Sequence, residues 1–275
     1  FFERILPTYI NVWPRGLLSF RRAMQEWKGK KLWIPQDLRD KLKYKGKILF
    51  TSHHESHAAS AFYCSGFPDA TIVTVDGVGE LATVTIGHGD GKKMLLHQEI
   101  RFPHSLGLLY SAITYYLGFR VNSAEYKGMG LAPYGKPLYL DQMRKLVDLK
   151  PDGSFSLNMN YFTYSYRLKM TGKKIEELFQ QPTRTPESSL TQFHKDVAAS
   201  LQQFTDEMMM AIVRHAKEVC PSRNLCLAGG VALNCVSNGK ILRSKLFDKI
   251  FIQPAAGDAG GALGSALLVW HDRYR

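Results

Sequence analysis

His53 and His57, four positions apart in the run HHESHAASAFY, are the residues of this 275-residue chain best placed to do chemistry. A helix that begins near the end of ILFTSHH puts positions i and i+4 on one face, so both imidazoles can point at a single cation. An isolated pair at this spacing is more often two surface or capping histidines, so the weight falls on its company. Asp76 ends the strand-like run TIVTV and opens DGVGE, where Gly77 and Gly79 stand between two carboxylates. Glycines there let backbone N–H groups approach a phosphate, and a carboxylate at a strand end reaches a metal or its water. Asp-Gly is also the common hairpin turn, which taken alone is the better reading.

Two further turns carry candidate ligands. In LAGGVALN, Gly229 and Gly230 lie between a buried strand and a helix whose unpaired N–H groups suit an anion. Asn234, one turn into that helix, is placed to bond a ribose or a carbonyl, although a lone Gly-Gly is more often tight packing. In PAAGDAGGALGSA, Gly257 and Asp258 sit in a glycine-rich turn before a small-residue helix. An ionised carboxylate buried there needs compensation, which a cation provides. Gly107 in SLGLLYS is near a helix start, and Glu125 and Lys127 in EYKGMGLAPYGKP can line a cleft, each with ordinary turn chemistry as the alternative. His54, Glu55 and His57 make HExH and not HExxH, which disfavours a zinc protease.

The elements that must position these residues follow from periodicity. KILFTS reads as a short buried strand ahead of the histidine helix. ATIVTVDG, LATVTIGHG and KMLLHQEI read as an antiparallel meander, and SLGLLYSAITYYLGF as a helix closing at Gly118. DGSFSLNMNYFTYSY looks like an extended hairpin. Val197, Leu201, Phe204, Met208 and Ile212 mark a helix at steps of three and four, with Met208, Met209 and Met210 as packing filler. NLCLAGG is a buried strand, VALNCVSNGKILRS a helix, KIFIQP a strand and GGALGSALLVWHD a final helix. Before Gly46 the chain reads as short helices broken by Pro7, Pro14, Gly16, Gly29 and Pro35, anchored by Trp13, Phe20, Trp27 and Trp33.

Composition is that of a globular protein, with a net charge of +12. Arg15, Arg21, Arg22, Lys28, Lys30, Lys31 and their neighbours concentrate the excess in the first fifth, either as a solvated face or as a surface for an anionic partner. Cys64, Cys220, Cys226 and Cys235 have no metal or disulfide spacing, which implies a reducing, cytoplasmic setting. No apolar run approaches the ~20 residues that span a bilayer. A chain that begins with Phe1 is expected to be a processed product or a fragment.

Taken together, HHESHAASAFY, TVDGVGE, SLGLLYSAITYYLGF, EYKGMGLAPYG, LAGGVALN and PAAGDAGGALGSA resemble the signature segments of the nodulation-type and antibiotic-tailoring O-carbamoyltransferase family. The resemblance covers nearly everything from Lys45 onward. It implies an α/β fold of the actin, hexokinase and Hsp70 class, built from two ribonuclease-H-like units. Residues 1–69 would be the remnant of an incomplete first unit, with its basic helical segment. Residues 70–275 would be a complete second unit with a helical and hairpin insertion around 136–192. The implied reaction passes a carbamoyl group from carbamoyl adenylate to a hydroxyl of a small-molecule, sugar or antibiotic acceptor. By motif position His53, His57 and Asp258 would be ligands of iron or another divalent transition metal, with Asp76 a further ligand or an adenylate contact. Gly230 and Asn234 would hold the nucleotide portion, in a site that also includes Gly77, Gly79, Gly107, Gly229 and Gly257. His54 and Glu55 are possible bases by proximity, and Asp76 is the other catalytic candidate. The implied partner is a YrdC-like domain that makes carbamoyl adenylate from ATP and carbamoyl phosphate. The run from Phe1 to Arg275 is expected to hold neither that domain nor an opening strand meander, so this polypeptide alone is not expected to make its own adenylate. A tRNA threonylcarbamoyl transferase-like enzyme and a non-catalytic nucleotide-binding module are the alternatives; nucleic acid is the less expected partner.

Overall fold

In the computed structural model, which describes residues 4–91 and 93–274, the basic N-terminal part folds into α1 (Ile5–Val12), α2 (Leu17–Gly29) and α3 (Ile34–Leu42). None of the three has a buried residue. Trp13 and Trp33, expected to anchor packing, are instead 69% and 55% exposed, because no layer among the described residues covers them. Phe20 does pack, stacked on Tyr9 with ring centroids 4.3 Å apart. Ser19 Oγ donates to the Tyr166 carbonyl at 2.8 Å, tying α2 to the body of the protein. The run 47–52 is a second correction: it forms no strand among the described residues, and Phe50 is exposed. Extended backbone becomes a strand only through a ladder, and no ladder partner lies beside it.

α4 (His53–Ser65) starts where the histidine spacing places it and ends at Gly66, whose φ of 70° is the left-handed conformation that closes helices. β1 (Asp69–Gly79), β2 (Ala82–Asp90) and β3 (Lys93–Arg101) form the expected antiparallel meander. The Asp76-Gly77 pair is not its turn. β1 continues to Gly79 with a register shift after Val75, and the turn falls at Glu80 and Leu81. Such an irregularity re-aims side chains at the end of a strand, here Asp76.

α5 (Leu106–Tyr116) is capped by Ser105 Oγ, which accepts from the Leu108 N–H. α6 (Glu125–Leu131) and α7 (Leu140–Leu146) lead to a separate ladder of β4 (Val147–Leu149) with β5 (Phe155–Leu157). The hairpin expected within DGSFSLNMNYFTYSY therefore forms with the segment before it. Asp152 and Gly153 make the turn, with Gly153 at φ 76°, so the partner of Phe155–Leu157 lies upstream. α8 (Lys173–Phe179) and the long α9 (Gln192–Val219) follow, then β6 (Asn224–Ala228), α10 (Cys235–Arg243), β7 (Lys249–Ile252) and α11 (Asp258–Tyr274).

The main sheet has the order β3-β2-β1-β6-β7, with β1–β6 and β6–β7 parallel, so the chain is α/β with a mixed sheet. Alternation along the strands sorts the two faces. Val73, Val75, Leu225 and Leu227 join the main core beneath α5 and α9, where Val197, Leu201, Phe204, Met208 and Ile212 are all buried. Each such side chain contributes about 1.5–3 kcal/mol. Ile72, Cys226 and Ala228 face the other way, against Ala58, Ala61 and Phe62 of α4. α11 lies on α4 so closely that a Cβ at Gly264 would fall 1.8 Å from the Ser56 carbonyl oxygen. Among the described residues no helix is long and apolar enough to cross a membrane.

Candidate metal centre

The close packing of α4, β1 and α11 brings together residues far apart in sequence. The first two turns of α4 supply His53 and His57, the irregular end of β1 supplies Asp76, and the first residue of α11 is Asp258. One ligand atom from each lies within 4.8 Å of all the others. His53 Nε2 is 2.8 Å from Asp76 Oδ2 and 3.0 Å from His57 Nε2. Asp258 Oδ1 is 3.6 Å from His53 Nε2 and 3.7 Å from His57 Nε2. His57 is buried, whereas the Asp258 side chain is 82% exposed and closes the cluster from the solvent side. Asp258 is thus no core residue: a helix start at the protein surface leaves its carboxylate in water.

These contacts favour a cation over a hydrogen-bond network. An imidazole nitrogen carries either one hydrogen or one lone pair, so His53 Nε2 cannot donate to Asp76 and accept from His57 at once. His57 Nδ1 is buried without a hydrogen-bond partner, leaving Nε2 as that ring's polar contact with the cluster. Two imidazoles and two carboxylates with converging lone pairs make a donor set of charge −2, suited to a divalent transition metal such as iron, manganese or zinc more than to magnesium. Burial opposes ionisation of Asp76, but contacts from His53 and His57 and the N–H groups of Gly230 and Gly77 outweigh it. They hold the carboxyl well below the usual carboxylate range. The bond to Asp76 raises His53 in turn, against the opposing effect of burial.

Gly79, Gly107 and Gly229 allow close packing. A Cβ at Gly79 would meet the His53 ring at 2.1 Å, so the absence of a side chain there seats the imidazole. Gly229 takes φ 94°, and a Cβ would fall 2.3 Å from the Val75 carbonyl oxygen. The N–H groups of Gly229 and Gly230, expected to face a phosphate, are engaged inside the chain: the first donates to Ala256 O at 2.8 Å and the second to Asp76 Oδ1 at 3.0 Å. Gly107 presses against the backbone of Asp76 and Gly77, while Gly257 has room beside Leu233. Asn234 is not one turn into a helix. A 3-10 turn over Gly230–Leu233 precedes it, and Asn234 caps α10 with its Oδ1 accepting from the Ser237 N–H.

His54 is a correction as a candidate base. It points away from the cluster into the core, with Nδ1 2.6 Å from Thr74 Oγ1 and Nε2 2.9 Å from the Ala82 carbonyl oxygen. The carbonyl can only accept, so Nε2 donates to it and Nδ1 accepts from Thr74. Burial pushes the ring's pKa down to about 4, and the neutral ring is a tether between α4 and the sheet. Glu55 is exposed and accepts from Ser52 Oγ at 2.7 Å. Glu125 accepts from Ser111 Oγ and from the Asn122 N–H, both at 2.7 Å, and so braces the start of α6.

The cluster opens into a cavity of about 760 Å³ whose lining includes Arg4, Trp27, Lys31, Val78 and Glu80. None of these is among the site residues that the sequence singles out. Glu80 has φ 59°, and the DGVGE motif held its signal, but only the position of the turn shows that it lines the same cavity as the histidines. Arg4, Trp27 and Lys31 belong to the basic helical segment, which the sequence leaves open as a solvated face or a surface for an anionic partner.

Comparison with known proteins supplies the family. Residues 1–267 match the family described as Carbamoyltransferase N-terminus. An uncharacterized protein of Synechocystis sp. is 53% identical over 98% of this chain and 45% of its own length. Nodulation protein NolNO of Sinorhizobium fredii is 41% identical, covering 81% of this chain and 31% of its own length. Nodulation protein NolO of Bradyrhizobium diazoefficiens is also 41% identical, over 79% of this chain and 38% of its own length. The chain thus spans less than half the length of these relatives. The crystal structure of T. kodakarensis HypF aligns with 86% of this chain and 38% of that one, at a TM-score of 0.44 and 15% identity, a likeness too low to carry an argument. The nodulation-type resemblance visible in the sequence is borne out, and the chain belongs to the carbamoyltransferase N-terminus family.

Proposed function

We propose that this chain is the transfer part of an O-carbamoyltransferase, moving a carbamoyl group from carbamoyl adenylate to a hydroxyl of a small-molecule, sugar or antibiotic acceptor. The observation that carries the reading is the convergence of His53, His57, Asp76 and Asp258 beside an open cavity in a member of this family. Those four residues would hold a divalent transition metal, with iron as the first candidate. When bound, the metal supplies positive charge that polarises a carbonyl or offsets phosphate charge. AMP is a good leaving group, so the protein's share of the work is orientation and electrostatic stabilisation. A cavity of about 760 Å³ is of the size that encloses a small-molecule ligand. Arg4 and Lys31 on its wall are the cations placed to meet phosphate.

The strand order β3-β2-β1-β6-β7 supports reading residues 70–275 as the second of two ribonuclease-H-like units of the actin, hexokinase and Hsp70 class, with residues 1–69 as part of the first. The packing of α4 on α11 would then be a contact between units. Carbamoyl adenylate would come from a YrdC-like domain. All four cysteines are free thiols, which supports a reducing, cytoplasmic setting.

The test is incubation of the intact protein, loaded with iron, with synthetic carbamoyl adenylate and a panel of aminoglycoside, sugar and tRNA acceptors. A carbamoylated hydroxyl on a small molecule or sugar is the expected product. Modification of tRNA alone would favour the tRNA-modifying relative, and release of AMP without any carbamoylated acceptor would sink the transferase reading.

A further inference from the structure

The turn 229–234 bonds one of the four candidate ligands, Asp76, and the segment that leads into another, Asp258, and is itself held from the other side. The Gly230 N–H donates to Asp76 Oδ1 at 3.0 Å, while Asp76 Oδ2 faces the imidazoles. The Gly229 N–H donates to the carbonyl of Ala256, two residues before Asp258, at 2.8 Å. At the far end, Asn234 and Gln202 form a reciprocal amide pair: Asn234 Nδ2 donates to Gln202 Oε1 at 3.0 Å, and Gln202 Nε2 donates to Asn234 Oδ1 at 3.1 Å. Gln202 Nε2 also donates to Asp206 Oδ1 at 2.8 Å, and Ser237 Oγ donates to the same oxygen at 2.5 Å. Lys240 Nζ lies 2.6 Å from Asp206 Oδ2, and Tyr110 donates its hydroxyl to Gln202 Oε1 at 3.1 Å. Gln202 and Asp206 are each only 5% exposed, and neither lines the cavity.

We propose that Gln202 and Asp206 are positioning residues for the metal centre. They lock the turn from α9, and the turn in turn fixes the rotation of Asp76 and the path of the chain into Asp258. The inference rests on the metal reading above. A metal carboxylate keeps its orientation through hydrogen bonds to its other oxygen, and loss of such support typically weakens metal binding about 10–100-fold. Gly229 already lies against β1 and cannot move closer. Release of Asn234 therefore lets the turn lift and takes the Gly230 N–H from Asp76. A network that served only to cap α10 would have no such effect on the metal.

Co²⁺ is the probe, because its d–d absorption reports both occupancy and coordination geometry. The intact protein is titrated as wild type, as Gln202→Leu and as Ile175→Ala. Ile175 is a fully buried residue of α8 outside the network, so its variant controls for general destabilisation. Gln202→Leu should lower Co²⁺ affinity about 10–100-fold and change the d–d bands, with Ile175→Ala leaving both unchanged. If Gln202→Leu does not fold, Gln202→Asn serves, since it keeps an amide that is one methylene too short to reach Asn234. Wild-type affinity and spectrum in either Gln202 variant, or an equal loss in Ile175→Ala, would overturn the proposal. A wild-type protein that binds no Co²⁺ would remove the metal reading itself and this inference with it.

Discussion

Gly79→Ala isolates the contact that seats His53. A Cβ at position 79 would lie 2.1 Å from His53 Cδ2, 2.5 Å from Cγ and 2.9 Å from Cβ. To recover an ordinary contact of 3.4 Å the ring must retreat by about 1.3 Å, or β1 must shift by as much. Gly79 has no left-handed φ, so alanine meets no backbone strain and the whole effect is steric. Metal-ligand distances hold to within about 0.2 Å, so this displacement is several times what a site tolerates. Overpacking of this kind costs about 1–3 kcal/mol, and each kcal/mol lowers the melting temperature by about 2–4 °C in a chain of roughly this size. The assay is a set of thermal melts on wild type, Gly79→Ala, His53→Ala and the double variant in metal-free buffer, followed by Co²⁺ titration of the first two. Most of the alanine penalty should vanish once the imidazole is gone, a coupling of about 1–3 kcal/mol. Gly79→Ala should also bind Co²⁺ at least about tenfold more weakly. A strictly additive cycle, or unchanged stability and affinity in Gly79→Ala, would refute the placement of His53 against β1.

Three further outcomes follow from the same geometry. His54→Ala should leave metal content unchanged but destabilise the fold by about 1–3 kcal/mol, because the buried Ala82 carbonyl loses its donor; denaturant melts beside metal analysis read the two effects separately, and lost metal with intact stability would put His54 back at the centre. Asp76→Asn should weaken metal binding more than Asp258→Asn, since Asp76 is buried and braced while Asp258 is 82% exposed; calorimetric titration that ranks them the other way would contradict this geometry. Gly264→Ala should push α4 and α11 apart, because its Cβ would meet the backbone of Ser56 and Ser60 with no flexible side chain to yield; a thermal melt equal to wild type would show that the helices do not pack so closely.

Much of this architecture is local and therefore legible as sequence. The spacing of His53 and His57 on one helix, the run from Val197 to Ile212 and the alternation through ATIVTVDG each lie within a single element, where a fixed rise and period dictate which side chains share a face. The sequence also marks Asp76 and Asp258 as carboxylates in unusual glycine-rich settings. Other features depend on what an element meets. Whether Lys47 to Ser52 forms a strand depends on a neighbour, and whether Trp13 is an anchor depends on a layer to cover it. As letters, His54 is a possible base by proximity, beside the i, i+4 pair of candidate ligands. Only the sheet beneath α4 decides that His54 turns inward to Thr74 and Ala82 while His57 turns to the cluster.

The glycine pair at 229 and 230 divides the two kinds of information most clearly. Composition at a strand-to-helix turn announces close backbone approach and says nothing of what is approached, since an N–H donor serves a phosphate and a carboxylate equally well. The tertiary structure brings Asp76 and the Ala256 carbonyl to those donors, and with them two of the four ligands to one point. The sequence determined the chemical inventory and its local faces. The convergence of His53, His57, Asp76 and Asp258 was decided by the packing of β1, α4 and α11, because distances between segments far apart in the chain are set by how layers fit and by no period within any one of them.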